Sequence, residues 1–306
     1  MNWLSADLWR GRRVVVTGGS GFLGGWICKI LVDAGAEVHS VGHKHRPRWG
    51  SVFHQASFPD HATRLLDDVQ PERVFHLAGP VNPGATTDLH TELRSGIVDA
   101  TTAMIEAAQR VNAQLIHAGT CAEYGDCEAP YSESQTPQPH SLYGALKWEA
   151  TQHVLASGGT VVRPFRAIGP GDHKSVVAAA AIAALNKEAF EMTEGSQVRE
   201  WNHAQAIAQG IIAAAVHREA QGQVINIGGG ETRSVYGVVE TLFRLAGSPK
   251  DLIKRGARKQ RSGEVPLLAG HHQSAQAIWG SVPQPSLDDT LKQSLLWIQK
   301  AHGDAT

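Results

Sequence analysis

The 306-residue sequence predicts an α/β protein, a doubly wound parallel sheet with a smaller C-terminal substrate lobe. Three observations carry this. Short apolar runs alternate with segments of helical spacing through about residue 170, as strands covered on both faces by crossover helices require. The first run, Val14 to Val16, leads into a glycine-rich turn. Beyond residue 170 the alternation gives way to an alanine-rich helix, a polar stretch and loops rich in Gly and Pro.

The elements follow in order. Arg13–Thr17 reads as a buried strand, and 24–34 as a helix stopped by Gly35. Residues 37–41 form a second strand, Ala62–Val69 a helix and 73–78 a third strand. Residues 93–111 have helical spacing, Gln114–Ala118 reads as a strand, 143–156 as a helix and 160–163 as a strand. In the second part, 176–185 and 204–217 read as helices, 188–203 as a polar stretch, Val224–Ile227 as a strand and 287–302 as a final helix. The expected domains are 1–170 and 171–306, interleaved without a clean linker.

Composition narrows the function. With 28 Lys and Arg against 29 Asp and Glu, the net charge is −1, which points away from nucleic acid and membrane surfaces. Cys28, Cys121 and Cys127 are odd in number and lack CxxC spacing. They fit neither a disulfide framework nor a zinc site, and suit a reducing compartment. The sixteen histidines are scattered, His271-His272 being the one adjacent pair, so no metal is expected. No apolar run reaches the roughly 18 residues of a membrane span, and the N-terminus shows no signal pattern. A cytoplasmic enzyme is the expectation.

The stretch VVVTGGSGFLGGW explains the glycines. Gly18 permits a tight turn, Gly21 lets backbone approach a pyrophosphate, and Gly24 lets the helix pack closely on the sheet. The helix start, with Phe22 and Leu23, offers unpaired N–H groups to phosphate. This is a Rossmann-type dinucleotide site. Where NAD sites carry an acid at the end of the second strand, this chain has Gly42, then His43, Lys44, His45 and Arg46, with Arg48 beyond. A small residue and a basic cluster suit a 2′-phosphate, so NADP(H) is the expected cofactor.

Tyr143 and Lys147 are four apart and share one helix face. Lys147 can lower the phenol's pKa and hold a cofactor ribose, and the phenol can move a proton at a carbonyl or carbinol carbon. Thr120, after the strand QLIHA, can share the same substrate oxygen.

With these residues the chain resembles the extended short-chain dehydrogenase/reductases of the epimerase/dehydratase group, across nearly its whole length. TGGSGFLG matches the family's TGxxGFxG. HLAG, with Leu77, Ala78 and Gly79, resembles HxAA on the nicotinamide side. GTCAEYG matches (S/T)xxxYG and gives Thr120 the Ser/Thr role, and YGALK supplies the Tyr-Lys pair. RPFRAIGPGD, with Pro164 and Arg166, resembles the loop joining cofactor and sugar pockets. VREWNHAQAIAQGI resembles the segment in which Arg199 would contact a diphosphate. RSGEVP places Glu264 where an acid holds the nucleotide ribose. The resemblance implies a nucleotide-sugar substrate and a homodimer, built through the 93–111 and 143–156 helices; Ile97, Thr101, Met104 and Ile105 are candidate facing residues, though their spacing serves the core equally well.

The departures select among reactions. Dehydratases of this group resemble TDExYG, and here Cys121 and Ala122 replace the acid and base. Glu123 follows, as a group that orients the sugar or acts as a second acid/base, or else as a solvated or structural carboxylate. The nearest resemblance is to NDP-4-keto-6-deoxyhexose 4-ketoreductases. The expected reaction is NADPH-dependent reduction of a nucleotide-linked C4 ketone, with Tyr143 as proton donor. The alternatives are a nucleotide-sugar 4-epimerase, a non-sugar carbonyl reductase and, in another class, an NADP-sensing regulatory protein.

Overall fold

The computed structural model describes residues 3–42, 49, 52–81, 87–260 and 263–303. Its centre is a seven-stranded parallel sheet of β1 (Arg13–Thr17), β2 (Glu37–Gly42), β3 (Val52–Gln55), β4 (Arg73–His76), β5 (Gln114–Ala118), β6 (Thr160–Pro164) and β7 (Val224–Ile227). Their spatial order is β7-β6-β5-β4-β1-β2-β3. The order reverses between β1 and β4, so the crevice at the carboxyl ends of these two strands is where a ligand of such a sheet belongs.

The valines of β1 are fully buried because both faces are covered. On one face the helix Phe22–Asp33 packs on Ala204–Ala214, with Ile27, Leu31, Ile207 and Ile211 in one cluster. On the other, Ala62–Val69 and Ala100–Arg110 bury Leu65, Leu66, Met104 and Ile105. A second core lies among Val176–Asn186, Val235–Leu245 and Leu287–Gly303, around Trp201 and Met192.

The structure departs from the sequence expectations in particular places. Val224–Ile227 and the helix before it complete the main sheet, so the chain returns to the first lobe after residue 203. The polar stretch contains the strand Val198–His203, which pairs with Glu231–Ser234, Leu267–Leu268 and Ala167–Ile168. It is buried despite its polar composition, because its charged side chains find partners. The edge strand β3 carries little apolar signal and was not foreseen. The helix at 90–110 contains a π turn at Ser95–Asp99. Ile97, Thr101, Met104 and Ile105 are all at most 8% exposed within this one chain, so they serve its core rather than an open subunit face.

The glycine turn forms as the residue types require. Gly18 has a left-handed backbone (φ 71°), and a Cβ at Gly24 would stand 2.2 Å from the Gly18 carbonyl oxygen. Alanine at position 24 gains about 1 kcal/mol of helix propensity. The clash is with backbone, which cannot swing aside, and overpacking costs about 1–3 kcal/mol. Gly24→Ala is therefore expected to lower the melting temperature. An unchanged or higher one contradicts the close approach.

Candidate active site

The crevice between β1 and β4 is tied by one hydroxyl. Thr17 Oγ1 accepts from the Leu77 and Ala78 N–H groups at 3.1 and 3.0 Å, and lies 2.8 Å from His76 Nδ1. With both lone pairs used, its proton goes to Nδ1. His76 Nε2 then carries the ring proton and donates to Thr101 Oγ1 (3.2 Å), which donates to the Ile97 carbonyl (2.6 Å). Burial, reinforced by the Lys147 charge, pushes the His76 pKa down to about 3, so the ring is neutral as this chain of bonds demands. Leu77, Ala78 and Gly79 are thereby fixed beside the glycine turn, Gly79 at φ 151°.

A dinucleotide fits this cradle. The helix Phe22–Asp33 begins at Gly21, with no side chain capping its first N–H groups. Those donors, the absent Cβ atoms at Gly18 and Gly21 and the helix dipole suit a pyrophosphate. Strand β2 ends at Val41 and Gly42, so no carboxylate stands in its last two positions. His43, Lys44, Arg46 and Arg48 lie outside the described residues.

Three of the four expected catalytic side chains, Thr120, Tyr143 and Lys147, come from the end of β5 and the helix Leu142–Ala156. Thr120 follows β5 and caps the short turn Cys121–Glu123, accepting from the Ala122 N–H at 3.2 Å. Tyr143 and Lys147 project from Leu142–Ala156, whose start is fixed by Ser141 accepting from the Gly144 N–H. Both side chains are buried, at 7% and 8% exposure. Burial pushes the Tyr143 phenol well above its ordinary value, against a hydrogen bond from Thr120. Burial also pulls Lys147 down to about 8, with Glu123 opposing. Lys147 Nζ lies 2.5 Å from the Ala118 carbonyl and 3.2 Å from His117 Nε2.

Glu123 has the surroundings of a structural carboxylate. It is fully buried, and both oxygens are engaged. Oε1 accepts from the Thr120 N–H at 2.7 Å. Oε2 accepts from Arg163 Nε at 2.9 Å, with Nη2 at 2.8 Å. Arg163 is itself 1% exposed and lies over the Tyr124 ring at 4.5 Å. The pair shapes the turn that presents Thr120, and the carboxylate has no open face. Cys121, in the same turn, has its thiol pushed up to about 11 by burial.

The expected substrate residues Arg199 and Glu264 meet each other at 3.0 Å. Arg199 also donates to the Val198 and Val265 carbonyls, and Glu264 accepts from Gln197. Arg166 follows β6 and Pro164, with its guanidinium 5.5 Å from the Trp201 ring, and its charge acts on both Cys121 and Arg199. Beside it Glu200 accepts from Gly229, Asn202, Gly270 and His272. His272 is thus occupied by a carboxylate, and among the described residues no three His, Cys, Asp or Glu side chains could hold a metal.

Sequence reasoning missed His76, His117 and Arg163. A signal was present for the first two. RVFHLAG and QLIHAG each place a histidine near the end of an apolar strand, and the structure pairs them in register. Arg163 sits in the apolar strand β6 with nothing local to announce its partner 40 residues away.

Comparison with known proteins agrees with this architecture. A family model described as the NAD dependent epimerase/dehydratase family matches residues 14–228. The dTDP-6-deoxy-L-talose 4-dehydrogenase (NAD(P)(+)) of Kitasatospora kifunensis is 29% identical, over 93% of this chain and 94% of its own length. A UDP-glucose 4-epimerase of Rhizobium leguminosarum bv. trifolii is 24% identical, over 95% of this chain and 99% of its own. The solved structure of MoeE5 in complex with UDP-glucose and NAD superposes with a TM-score of 0.86 at 25% identity, covering 95% of this chain and 99% of that one. No helix among the described residues is long and apolar enough to cross a membrane.

Removing the Glu123 carboxylate strands the buried Arg163 charge. Glu123→Ala is expected to cost about 3–5 kcal/mol in denaturant unfolding, as for other broken buried pairs. A loss below about 1 kcal/mol would mean that Arg163 finds water or another partner, and would remove the positioning role assigned to the pair.

Proposed function

The chain belongs to the NAD-dependent epimerase/dehydratase family, and from that premise we propose that it reduces the C4 ketone of a nucleotide-linked 4-keto-6-deoxy sugar with NADPH. The dinucleotide supplies the hydride. Tyr143 gives its proton to the C4 oxygen as negative charge builds there, and Thr120 donates a hydrogen bond to the same oxygen. Lys147 holds the cofactor ribose and places positive charge near the phenol. Arg166, Arg199 and Glu264 form the wall toward the nucleotide diphosphate, with Arg199 fixed by its pairing with Glu264. Glu123 keeps Thr120 in place and takes no proton.

One observation carries the reading: a buried phenol stands beside Thr120 in a turn with no free acid or base. A phenol's ordinary pKa of about 10 leaves Tyr143 protonated at neutral pH, with a proton to give. Dehydration needs a second acid/base pair. The turn offers only a neutral thiol at Cys121, a methyl at Ala122 and a carboxylate already committed to Arg163. The 29% identical 4-dehydrogenase acts on a 6-deoxy sugar nucleotide by its name, which agrees with a substrate of this class. Gly42 and the basic run after it favour NADPH over NADH.

A nucleotide-sugar 4-epimerase is the second reading, favoured by the similarity to a UDP-glucose 4-epimerase over 95% of this chain. Deuterium transfer separates the two. NADPH deuterated at the transferring position is expected to leave deuterium at C4 of the product alcohol, with one cofactor oxidised per sugar. Tyr143→Phe is expected to lower kcat by about 10²–10⁴-fold while retaining dinucleotide affinity. A fully active Tyr143→Phe, or product without deuterium, contradicts the proposal.

A further inference from the structure

Two buried histidines face each other across β4 and β5, with ring centroids 5.3 Å apart, and they are used differently. Both nitrogens of His76 are matched, Nδ1 by Thr17 and Nε2 by Thr101. His117 is 1% exposed and uses only Nε2, 3.2 Å from Lys147 Nζ, while Nδ1 is buried without a hydrogen-bond partner. A stranded buried polar nitrogen costs about 1–3 kcal/mol. A histidine serving only the core would be replaced by an apolar residue at no loss.

We infer that His117 is a positioning residue for Lys147: it takes one of the ammonium's three N–H bonds while the Ala118 carbonyl takes a second, leaving a single donor aimed at the dinucleotide. This rests on the reading of Lys147 as the ribose-binding lysine.

The geometry separates anchoring from proton relay. Facing an ammonium, Nε2 must accept, so the ring proton sits on Nδ1. That nitrogen leads to no further acceptor, and a relay ends there. As an anchor, His117 does two things. It restricts a long side chain that would otherwise sample several rotamers. It also stabilises the charged form of a lysine that burial drives toward neutrality. The titratable groups around Lys147 are His76 from β4, His117 from β5, Glu123 from the turn after β5 and Tyr143 one turn earlier on its own helix. Of these, His117 is in direct contact with Nζ.

The test measures NADPH binding by nucleotide fluorescence across pH, with NADH in parallel. With burial pulling Lys147 down to about 8, wild-type affinity is expected to fall as pH rises through that value. His117→Phe fills the ring's volume but accepts no hydrogen bond. Its fall is expected about one pH unit lower, with affinity about 3-fold weaker near pH 7.5. His117→Gln, which keeps an acceptor and does not titrate, is expected to restore the wild-type profile. His117→Leu serves if the Phe variant does not fold. Wild-type profiles for both Phe and Gln overturn the inference, as does a Gln variant that behaves like Phe. A normal binding profile with no turnover of 4-keto sugars would defeat the proposed reaction and leave the anchor standing. A wild type that binds neither dinucleotide defeats both.

Discussion

The site depends on the Thr17 hydroxyl. It is the only side-chain oxygen shown bridging the end of β1 to the segment after β4, among the described residues, and it does so with three partners at once. At the crevice where the strand order reverses it adds to the backbone pairing of Thr17 with His76 and the Leu77 N–H bond to the Thr17 carbonyl. Two backbone N–H groups converge on one oxygen, and the oxygen's proton fixes the tautomer of His76. Through Thr101 and Ile97 the same chain of bonds reaches the helical segment that contains the π turn. The glycine turn can then approach the pyrophosphate closely, because its neighbour across the crevice is held by hydrogen bonds rather than by bulk.

The second half of the site is governed by where charge is allowed to remain. Glu123 and Arg163 are each almost wholly buried, and each is tolerated only because of the other. Their pairing gives the turn after β5 a carboxylate that shapes backbone and is closed to substrate. Lys147 is the contrasting case. Two hydrogen bonds hold its ammonium, yet burial still pulls it down to about 8. Its one side-chain hydrogen-bond partner shown is His117.

Much of this was legible in the sequence. The parallel sheet followed from apolar runs, the tight turn between strand and helix from Gly18, Gly21 and Gly24, and the common helix of Tyr143 and Lys147 from their spacing. What escaped notice was long-range pairing of polar groups. Nothing near Arg163 announces Glu123. Residues 188–203 read only as a polar stretch, because the partners that satisfy the charges of 198–203 in a buried strand lie tens of residues away. Val224–Ile227 was recognised as a strand, but its place beside β6 depends on where the intervening helix packs, which a local pattern does not encode.

Whether a proton-bearing phenol and a dinucleotide crevice together reduce a ketone is decided by following NADPH absorbance with purified protein and a panel of nucleotide-linked 4-keto-6-deoxyhexoses, with NADH in parallel. A ketoreductase is expected to consume one NADPH per sugar, with a far slower loss of NADH. Conversion of the sugar with no net loss of either cofactor would contradict it and assign the same crevice to epimerisation.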